Sequence, residues 1–251
     1  MRVAILSDIH GNLTALEAVL ADLKSTRPDL VVHGGDLALA GCRPAEVVDR
    51  VREAGWAGVL GNTDEVHWDQ SARADLEQRA PKLRNLFHVI FDLQVPATTQ
   101  LLGEERIAWM RGLPRIWRSS NASWRSTDAS IALVHASPGN LWRAPGPEAD
   151  PAELALTYGP LDCPIAVYGH IHRPYVRELP GITIANSGSV GMPYDGDPRA
   201  SYLLIEDGRV TIRRVEYDVE GEIRELVASN YPNAAAIAET LRKGAYVAAA
   251  G

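Results

Sequence analysis

Six short apolar runs in this chain of 251 residues each end in a side chain that can bind a metal ion. Runs of this length, bounded by turn residues, predict buried strands. In layered sheets, ligand sites form beyond the carboxyl ends of such strands. Residues at five of the six ends are therefore candidate ligands of one shared metal site: Asp8 and His10, Asp36, Asn62, His135, and His170 with His172. The sixth run ends at Asn186.

These donor types suit a pair of divalent ions. Two such ions side by side repel each other, so a carboxylate that bridges them is useful, and Asp36, which stands alone at its strand end, is the candidate bridge. Imidazole, carboxylate and amide oxygen together suit Mn, Fe, Zn, Co or Ni without choosing between them, and we take Mn as the first expectation. Two ions about 3.5–4 Å apart can share a hydroxide and stabilise both oxygens of an in-line displacement, which indicates phosphate ester hydrolysis.

The first part of the chain must supply the first three of these strand ends. Its alternation of strand and helix predicts parallel strands with right-handed crossovers. Asn12 is the expected N-cap of the first helix, and a second helix is predicted over 44–54. The stretch 65–112 is more polar and predicts two or three helices, broken at Pro81 and Pro96.

The second part of the chain is richer in strands and turns. The predicted elements are strands over 116–125 and 130–136, a loop over 141–151, hairpins around Pro180-Gly181 and Asp207-Gly208, and a helix near 234–242. These later strands predict a second sheet stacked on the first, with helices on both outer faces. The expected fold is an α/β, four-layer α-β-β-α sandwich of two mixed sheets, with the metal site at the C-terminal ends of the strands.

Length and composition predict a single domain over 1–251, with about 1–217 as its core and 218–251 as a C-terminal helical extension. The formal net charge of −7 argues against a nucleic acid polymer as partner. Neither a signal peptide nor a membrane span is predicted, and the two cysteines lack metal or disulfide spacing. A cytoplasmic location is therefore expected, and a homo-oligomer stays open.

The order of the motifs along the chain carries a resemblance: Asp8-x-His10, Gly35-Asp36, Gly61-Asn62-x-Asp64, His135 and Gly169-His170-x-His172. This set resembles the calcineurin-like metallophosphoesterases, as do 186–191 and 195–201, so that the similarity covers about residues 1 to 206. The resemblance implies one metal held by Asp8, His10, Asp36 and His172, and a second held by Asp36, Asn62, His135 and His170. It implies hydrolysis of a small phosphoester by a metal-bridging hydroxide, with Asp36 and Asn62 acting through the metals.

Thr63 is where the chain departs from this resemblance. Many relatives carry Gly-Asn-His-Asp or Gly-Asn-His-Glu, whose His is thought to assist at the phosphate or to protonate the leaving group, whereas this chain fits a subgroup with Gly-Asn-x-Asp. Threonine is not a general acid near neutral pH, and losing such an acid commonly costs about 10²–10⁴-fold in rate. His10, if it is not firmly coordinated, is a candidate proton donor, and His67 is a second candidate.

Five residues are candidate substrate contacts: Asn12, Thr63, His67, Asn140 and Arg143. Asn12 has the alternative role of an N-cap, and Asn140 and Arg143 have that of a solvated loop. Asp64 is expected to cap the following helix, or to orient a ligand, rather than to bind metal. His33 lies inside an apolar strand and is expected to be a satisfied core histidine.

Two classes of function compete for this sequence. The leading hypothesis is an enzyme, a dinuclear metal-dependent phosphodiesterase or phosphatase, with a nuclease as a rival within the enzymes. The alternative class is a non-catalytic interaction module on the same fold, like the retromer subunits. A site that has lost its activity should also lose metal ligands, and all the candidate ligands are present here. Only Thr63 favours the interaction module. The net negative charge of the chain and the lack of accessory domains count against a nuclease.

Overall fold

The computed structural model describes residues 1–119 and 130–248, and two five-stranded sheets lie within these ranges. The strands in chain order are β1 (Arg2–Leu6), β2 (Leu30–His33), β3 (Ala57–Gly58), β4 (Ile116–Arg118), β5 (Ile131–Val134), β6 (Ile165–Tyr168), β7 (Tyr175–Leu179), β8 (Ile182–Asn186), β9 (Ala200–Glu206) and β10 (Arg209–Val215). The first sheet has the order β10-β9-β1-β2-β3 and the second the order β4-β5-β6-β8-β7. All six of the apolar runs are therefore strands, as predicted.

The helices lie between and after these strands. In chain order they are α1 (Leu13–Thr26), α2 (Pro44–Glu53), α3 (Asn62–Glu65), α4 (Ala72–Arg79), α5 (Arg84–His88), α6 (Val95–Arg111), α7 (Pro151–Tyr158), α8 (Val219–Ala228) and α9 (Ala234–Lys243). Helix α7 begins at the last residue of the predicted loop. In the part of the chain that the structure describes, no helix is both long enough and apolar enough to span a bilayer.

The first sheet contains a hairpin that the sequence analysis assigned to the second. Strands β1, β2 and β3 are parallel, as predicted, but β9 pairs antiparallel with the free edge of β1, with Val3 opposite Ile205. Strand β10 then extends the same sheet. The prediction was wrong because a hairpin pattern fixes only the pairing of its own two strands. Which sheet accepts the hairpin depends on the edge left open by the remaining strands.

In the second sheet, β5, β6 and β8 are parallel and carry the later candidate ligands, while β4 and β7 form antiparallel edges. The predicted hairpin around Pro180-Gly181 is β7 and β8. Strand β4 covers the start of the strand predicted over 116–125, and residues 120–125 of that prediction lie outside the described residues.

Alternating side chains along β1 show how the layers are held together. Val3 and Ile5 point to a buried cluster that also contains Leu133 and Val167 of the second sheet. Ala4 and Leu6 point the other way and pack against α1 and α2. The outer face of the second sheet is covered by α7, through Leu154 and Tyr158. The period of two thus buries both faces of each sheet and produces the predicted four-layer sandwich.

The helical stretch after residue 65 differs from its prediction at Pro96. The chain breaks near Pro81, as expected, but it stays helical from Arg84 to Leu102, passing through a π-helical segment, Val89–Gln94, and past Pro96. Pro96 is the second residue of α6, which directly follows the π-helical segment, so the chain departs from regular α-helical bonding next to the missing N–H. The non-helical residue is Gly103, whose φ of 70° is accessible to glycine at low cost.

Candidate metal centre

The carboxyl ends of five strands from both sheets converge at one edge of the sandwich. Two groups of side chains there have ligand atoms that all lie within 4.8 Å of one another: Asp8, His10, Asp36 and His172 in one group, and Asp36, His135 and His170 in the other. Asp36 belongs to both groups. The structure therefore brings together the aspartates and histidines that the sequence analysis selected as ligands, with the candidate bridge between them.

The backbone at these strand ends is strained in a consistent way. Five of the candidate ligands have a positive φ, between 51° and 66°: Asp8, His10, Asp36, His170 and His172. This left-handed conformation costs roughly 1–2 kcal/mol for a residue other than glycine. It persists because hydrogen bonds between adjacent strand ends impose it, such as those from the Asp8 N–H to the Gly35 carbonyl and from the His10 N–H to the Asp36 carbonyl. Strain of this kind is typical of functional sites.

Three of the histidines are oriented by backbone carbonyls. The Nδ1 atoms of His10, His135 and His172 lie 2.7, 2.7 and 2.6 Å from the carbonyl oxygens of Leu39, Gly34 and Met192 respectively. A carbonyl only accepts, so each Nδ1 carries the hydrogen and donates it. Once Nε2 is unprotonated, as in a metal complex, it presents a lone pair to the centre, which is the usual arrangement of a metal-ligating histidine.

Lone pairs face one another across the centre. The Nε2 atoms of His10 and His172 are 3.1 Å apart, and the latter is 3.1 Å from Asp8 Oδ1. In the second group, Asn62 Oδ1 is 2.8 Å from His135 Nε2 and 2.9 Å from His170 Nδ1. Acceptors this close repel unless a cation or a proton lies between them. The donor set of imidazole, carboxylate and amide oxygen therefore fits divalent transition-metal ions.

Burial and neighbouring charges together shift the pKa values of the groups in the centre. Burial opposes ionisation of Asp8 and Asp36, but His172 beside Asp8 and His135 beside Asp36 hold both pKa values below the usual range. Burial would also lower the pKa of His135, yet the Asp36 carboxylate, 3.4 Å away, raises it to about 9. For His170 burial prevails, and the pKa falls to about 4. Both carboxylates are thus ionised, as ligands of a cation must be.

Asp64 positions the two neighbouring ligand loops. Its carboxylate accepts hydrogen bonds from the backbone N–H groups of Asp36, Leu37 and Gly61, at 2.9, 2.9 and 3.1 Å. The bond to Gly61 caps α3, and the other two hold the loop after β2. This agrees with the prediction that Asp64 caps a helix or orients a ligand. A Cβ at Gly61 would collide with Asp36, which explains the glycine there.

A second positioning segment, after β8, was not recognised as such from the sequence. The Ser189 hydroxyl donates to the Asp8 carbonyl at 2.6 Å and accepts from the Met192 N–H at 2.7 Å. The Asn186 side chain donates to the Gly169 carbonyl at 2.6 Å, next to His170. These buried polar residues fix the loops that carry ligands from both sheets. Their signal was the run of small polar residues after an apolar strand.

The candidate substrate contacts have different environments. The Asn12 side chain accepts from the Ala15 N–H, as the predicted N-cap, and donates to the Gly191 carbonyl. His67 is bonded to Thr99 through Nδ1, and Asn140 accepts the Trp142 N–H in a local turn. Arg143 is exposed beside a separate groove that also contacts His170. Only Thr63 lines the cavity over the metal centre.

His33 is buried in the core, as predicted, but it is not satisfied. Neither ring nitrogen has a hydrogen-bond partner among the described residues. The ring lies over Gly58, where a Cβ would collide with it, and is 6.1 Å from the Trp109 ring. Burial lowers its pKa to about 4. The expectation failed because a sequence shows that a strand residue is buried but not which atoms surround it.

A cavity of about 400 Å³ opens over the centre. We name its parts by the residues that line it. The floor is His10, Asp36, Asn62, Thr63, His170 and His172; the insert wall is Leu83, Leu86, Val89 and Ile90; the C-terminal wall is Ile237, Tyr246 and Val247. Sequence analysis identified the floor and missed both walls, because the wall residues lie on or beside helices whose spacing carries no chemical signature.

Comparisons with known proteins agree with this geometry. A family model of the calcineurin-like phosphoesterase superfamily domain matches residues 1–208. Phosphodiesterase YfcE of Escherichia coli is 28% identical over 222 residues, 84% of this chain and 91% of that protein. An uncharacterized protein of Methanocaldococcus jannaschii is 27% identical over 249 residues, 92% of this chain and 93% of its own length.

Two solved structures share the fold over nearly the whole chain. A metallophosphoesterase from Sphaerobacter thermophilus has a TM-score of 0.74 at 30% identity, covering 97% of this chain and 99% of that one. A hypothetical protein from Pyrococcus horikoshii has a TM-score of 0.80 at 19% identity, covering 98% and 99% of the two chains. The second likeness shows the fold alone.

Proposed function

Because the chain belongs to the calcineurin-like phosphoesterase superfamily, we propose that it is a dinuclear metal-dependent hydrolase of a small phosphoester, either a phosphodiesterase or a phosphatase. One observation carries this proposal. The Asp36 carboxylate is shared by two adjacent groups of converging ligand atoms. A shared carboxylate serves two cations better than one, since it offsets the repulsion between them.

The ligand assignment follows the two groups. One ion is held by Asp8, His10, Asp36 and His172, and the other by Asp36, Asn62, His135 and His170, with manganese the first expectation for both. Such ions supply Lewis-acid stabilisation of the phosphoryl oxygens and a nucleophilic water near neutral pH. The carbonyls on the Nδ1 atoms of three histidines support this assignment, because they fix the rings with the free nitrogen towards the ions.

Thr63 is the chain's own substrate contact in this proposal. Its side chain lines the cavity floor, the residue is 8% exposed, and its hydroxyl has no hydrogen-bond partner among the described residues. Its backbone N–H is already bonded to Asp36 Oδ1 at 2.9 Å, so that the residue is held beside the bridging carboxylate. The hydroxyl, which is buried and lacks a partner among the described residues, would find an acceptor in a phosphoryl oxygen placed on the floor. It orients the substrate but does not protonate the leaving group.

The other candidate proton donors are less well placed. Both nitrogens of His10 are committed, Nδ1 to the Leu39 carbonyl and Nε2 to the centre, so we retain it as a ligand only. His67 does not line the cavity and is bonded to Thr99. The enzyme should therefore act best on esters whose alcohol leaves without protonation.

A metal-reconstituted activity screen tests the proposal. The protein is stripped with a chelator, reloaded separately with Mn, Fe, Co, Ni or Zn, and assayed on phosphomonoesters, cyclic and linear diesters, and nucleotide polyphosphates. We expect hydrolysis of at least one ester class together with about two bound ions per chain, as measured by mass spectrometry of the metal content. Asp207→Asn is the matched control, since that carboxylate is 84% exposed. No hydrolysis with any metal would favour the non-catalytic interaction module.

A further inference from the structure

We propose that the substrate carries an uncharged, apolar group, aryl or short alkyl, on its phosphoryl group, and that the walled cavity holds this group. The inference rests on the proposed function, because the phosphoryl group must lie on the floor. The floor and both walls line one continuous cavity. A phosphoester bound at the metals must therefore place one of its ester groups against a wall.

The walls offer carbon surface on two sides. The insert wall comes from the helical stretch between α4 and α6 and presents Leu86, Val89 and Ile90. The C-terminal wall faces the cavity with Ile237 from α9 and with Tyr246 and Val247 beyond it. An apolar ester group placed there gains roughly 25 cal/mol for each Å² of surface removed from water. A charged group would instead lose hydration without compensation.

The charges around the cavity favour a single phosphoryl group. Among the described residues, no lysine or arginine lines it, and its only carboxylate is Asp36 in the floor. The remaining polar lining outside the floor is neutral: Gln94, Asn233 and Thr240. A second phosphate or a carboxylate on the substrate would find no cation in this cavity. This argues against nucleoside polyphosphates and sugar bisphosphates as substrates.

Aromatic rings lead from the floor to the mouth. The Tyr194 ring stacks on His172, with centroids 4.3 Å apart and planes inclined by 23°. Tyr246 meets Tyr194 edge-on at 5.9 Å and is 45% exposed. Both tyrosines line the cavity, so that flat ring surface is available within it. A planar group would gain offset or edge-to-face contacts there.

The volume of the cavity fits a small substrate. A cavity of about 400 Å³ is near the lower end of the range for small-molecule sites, roughly 300–1,000 Å³.

The C-terminal wall is tied to the body of the protein by buried contacts. The Tyr231 hydroxyl accepts from the Ala40 N–H and bonds Thr98, and Glu222 of α8 pairs with Arg43 and Thr14. These contacts hold the C-terminal wall in a fixed position beside the floor.

The first test compares diesters that share a leaving group. On the metal-loaded protein, kcat/KM is measured for 4-nitrophenyl methyl phosphate and 4-nitrophenyl phenyl phosphate. We expect the phenyl ester to be favoured by at least about 10-fold, since a few carbons in an apolar pocket are worth that much. In parallel, calorimetry compares the binding of phenylphosphonate and methylphosphonate, with the same direction and a similar ratio expected.

Variants assign the preference to the walls. Tyr246→Ala and Leu86→Ala should each reduce the phenyl-to-methyl ratio several-fold, in kinetics and in binding. The matched control is Leu156→Ala, on α7 and 80% exposed outside the cavity, which should leave the ratio unchanged. A ratio near one in the intact protein, or a ratio that survives both wall variants, would overturn the inference.

The two proposals fail in different ways. If no ester is hydrolysed but phenylphosphonate still binds more tightly than methylphosphonate, the pocket stands and the hydrolase does not. If both diesters are hydrolysed at similar rates and the phosphonates bind equally, the hydrolase stands and the apolar substrate does not.

Discussion

The floor and the walls of one cavity are built by different physical means. Each floor ligand lies within a few residues of a strand end, and hydrogen bonds between strand ends fix its backbone, even in the left-handed region. The walls come from helices packed onto the sandwich, where Phe87 and Phe91 pack with Leu39, and Ile237 packs with Leu226. Under our two proposals, the floor sets the chemistry and the walls set which molecule reaches it. The two proposals together predict that reaction class and substrate class can be altered separately.

Loss of the shared carboxylate should have the largest effect. Asp36→Asn keeps an oxygen for the Thr63 N–H but removes the charge common to both metal positions. We expect kcat/KM to fall by at least about 10³-fold, because both ions lose a charged ligand. Metal content per chain should fall with it, while the insert wall and the C-terminal wall stay folded.

If Asp36→Asn retained both activity and metal, the assignment of the chemistry to the floor would be wrong. Asp207→Asn, measured beside it, should behave like the unmodified protein. Circular dichroism of the two variants distinguishes loss of a ligand from loss of the fold.

The pH dependence of stability tests the core beneath the floor. His33 has a folded pKa of about 4 against 6.5 for the free side chain, because it is buried without partners. Between these values the unfolded chain binds a proton that the folded chain does not, so stability falls as pH drops from about 6.5 towards 4. The shift corresponds to about 3 kcal/mol at the acid end.

Urea unfolding of the metal-loaded protein between pH 7 and pH 4.5 measures this slope. His33→Phe keeps a ring over Gly58 and removes the proton-binding nitrogens. The variant should show a flatter dependence. An unchanged slope would contradict this role of His33 and would assign the acid sensitivity to other histidines with lowered pKa values, such as His67 or His170.

Glu222→Ala should loosen the C-terminal wall while leaving the floor intact. Glu222 is 2% exposed and bonds Arg43 and Thr14, so its removal leaves a partly buried guanidinium without its carboxylate. We expect the free energy of unfolding to fall by about 2 kcal/mol, less than for a fully buried pair because Arg43 is partly exposed. The phenyl-to-methyl ratio should fall more than the rate on the methyl ester, and equal losses would contradict a separable wall.

Thr63→His changes the chemistry of the floor and leaves both walls as they are. The change supplies the acid that this position lacks, at a side chain that already lines the cavity. For esters with poor leaving groups we expect a gain of about 10-fold, at or below the low end for general acid catalysis because the ring is not optimally placed. Esters with good leaving groups should change little. A uniform gain would mean that the histidine acts on binding and not on the proton.

Prediction from the sequence succeeded where chemistry and chain order coincide. Asp8, Asp36 and His135 each follow an apolar run directly, and parallel strands must present such residues at one edge. The prediction was wrong for the hairpin β9–β10, which completes the first sheet, and for a break at Pro96. Sheet membership and helix continuity are decided by competition between distant segments, which no local pattern records.

The sequence by itself determined the strands, the candidate ligands at their ends and the likeness to a metal-dependent phosphoesterase, because strand periodicity and ligand chemistry are local properties. Only the tertiary structure showed that the Asp36 carboxylate lies within reach of both ligand groups, that Ser189 holds the Asp8 loop, and that Leu86 and Tyr246 line two walls of one cavity. These facts depend on distances between segments up to 181 residues apart, as between Asp8 and Ser189. Packing alone sets such distances.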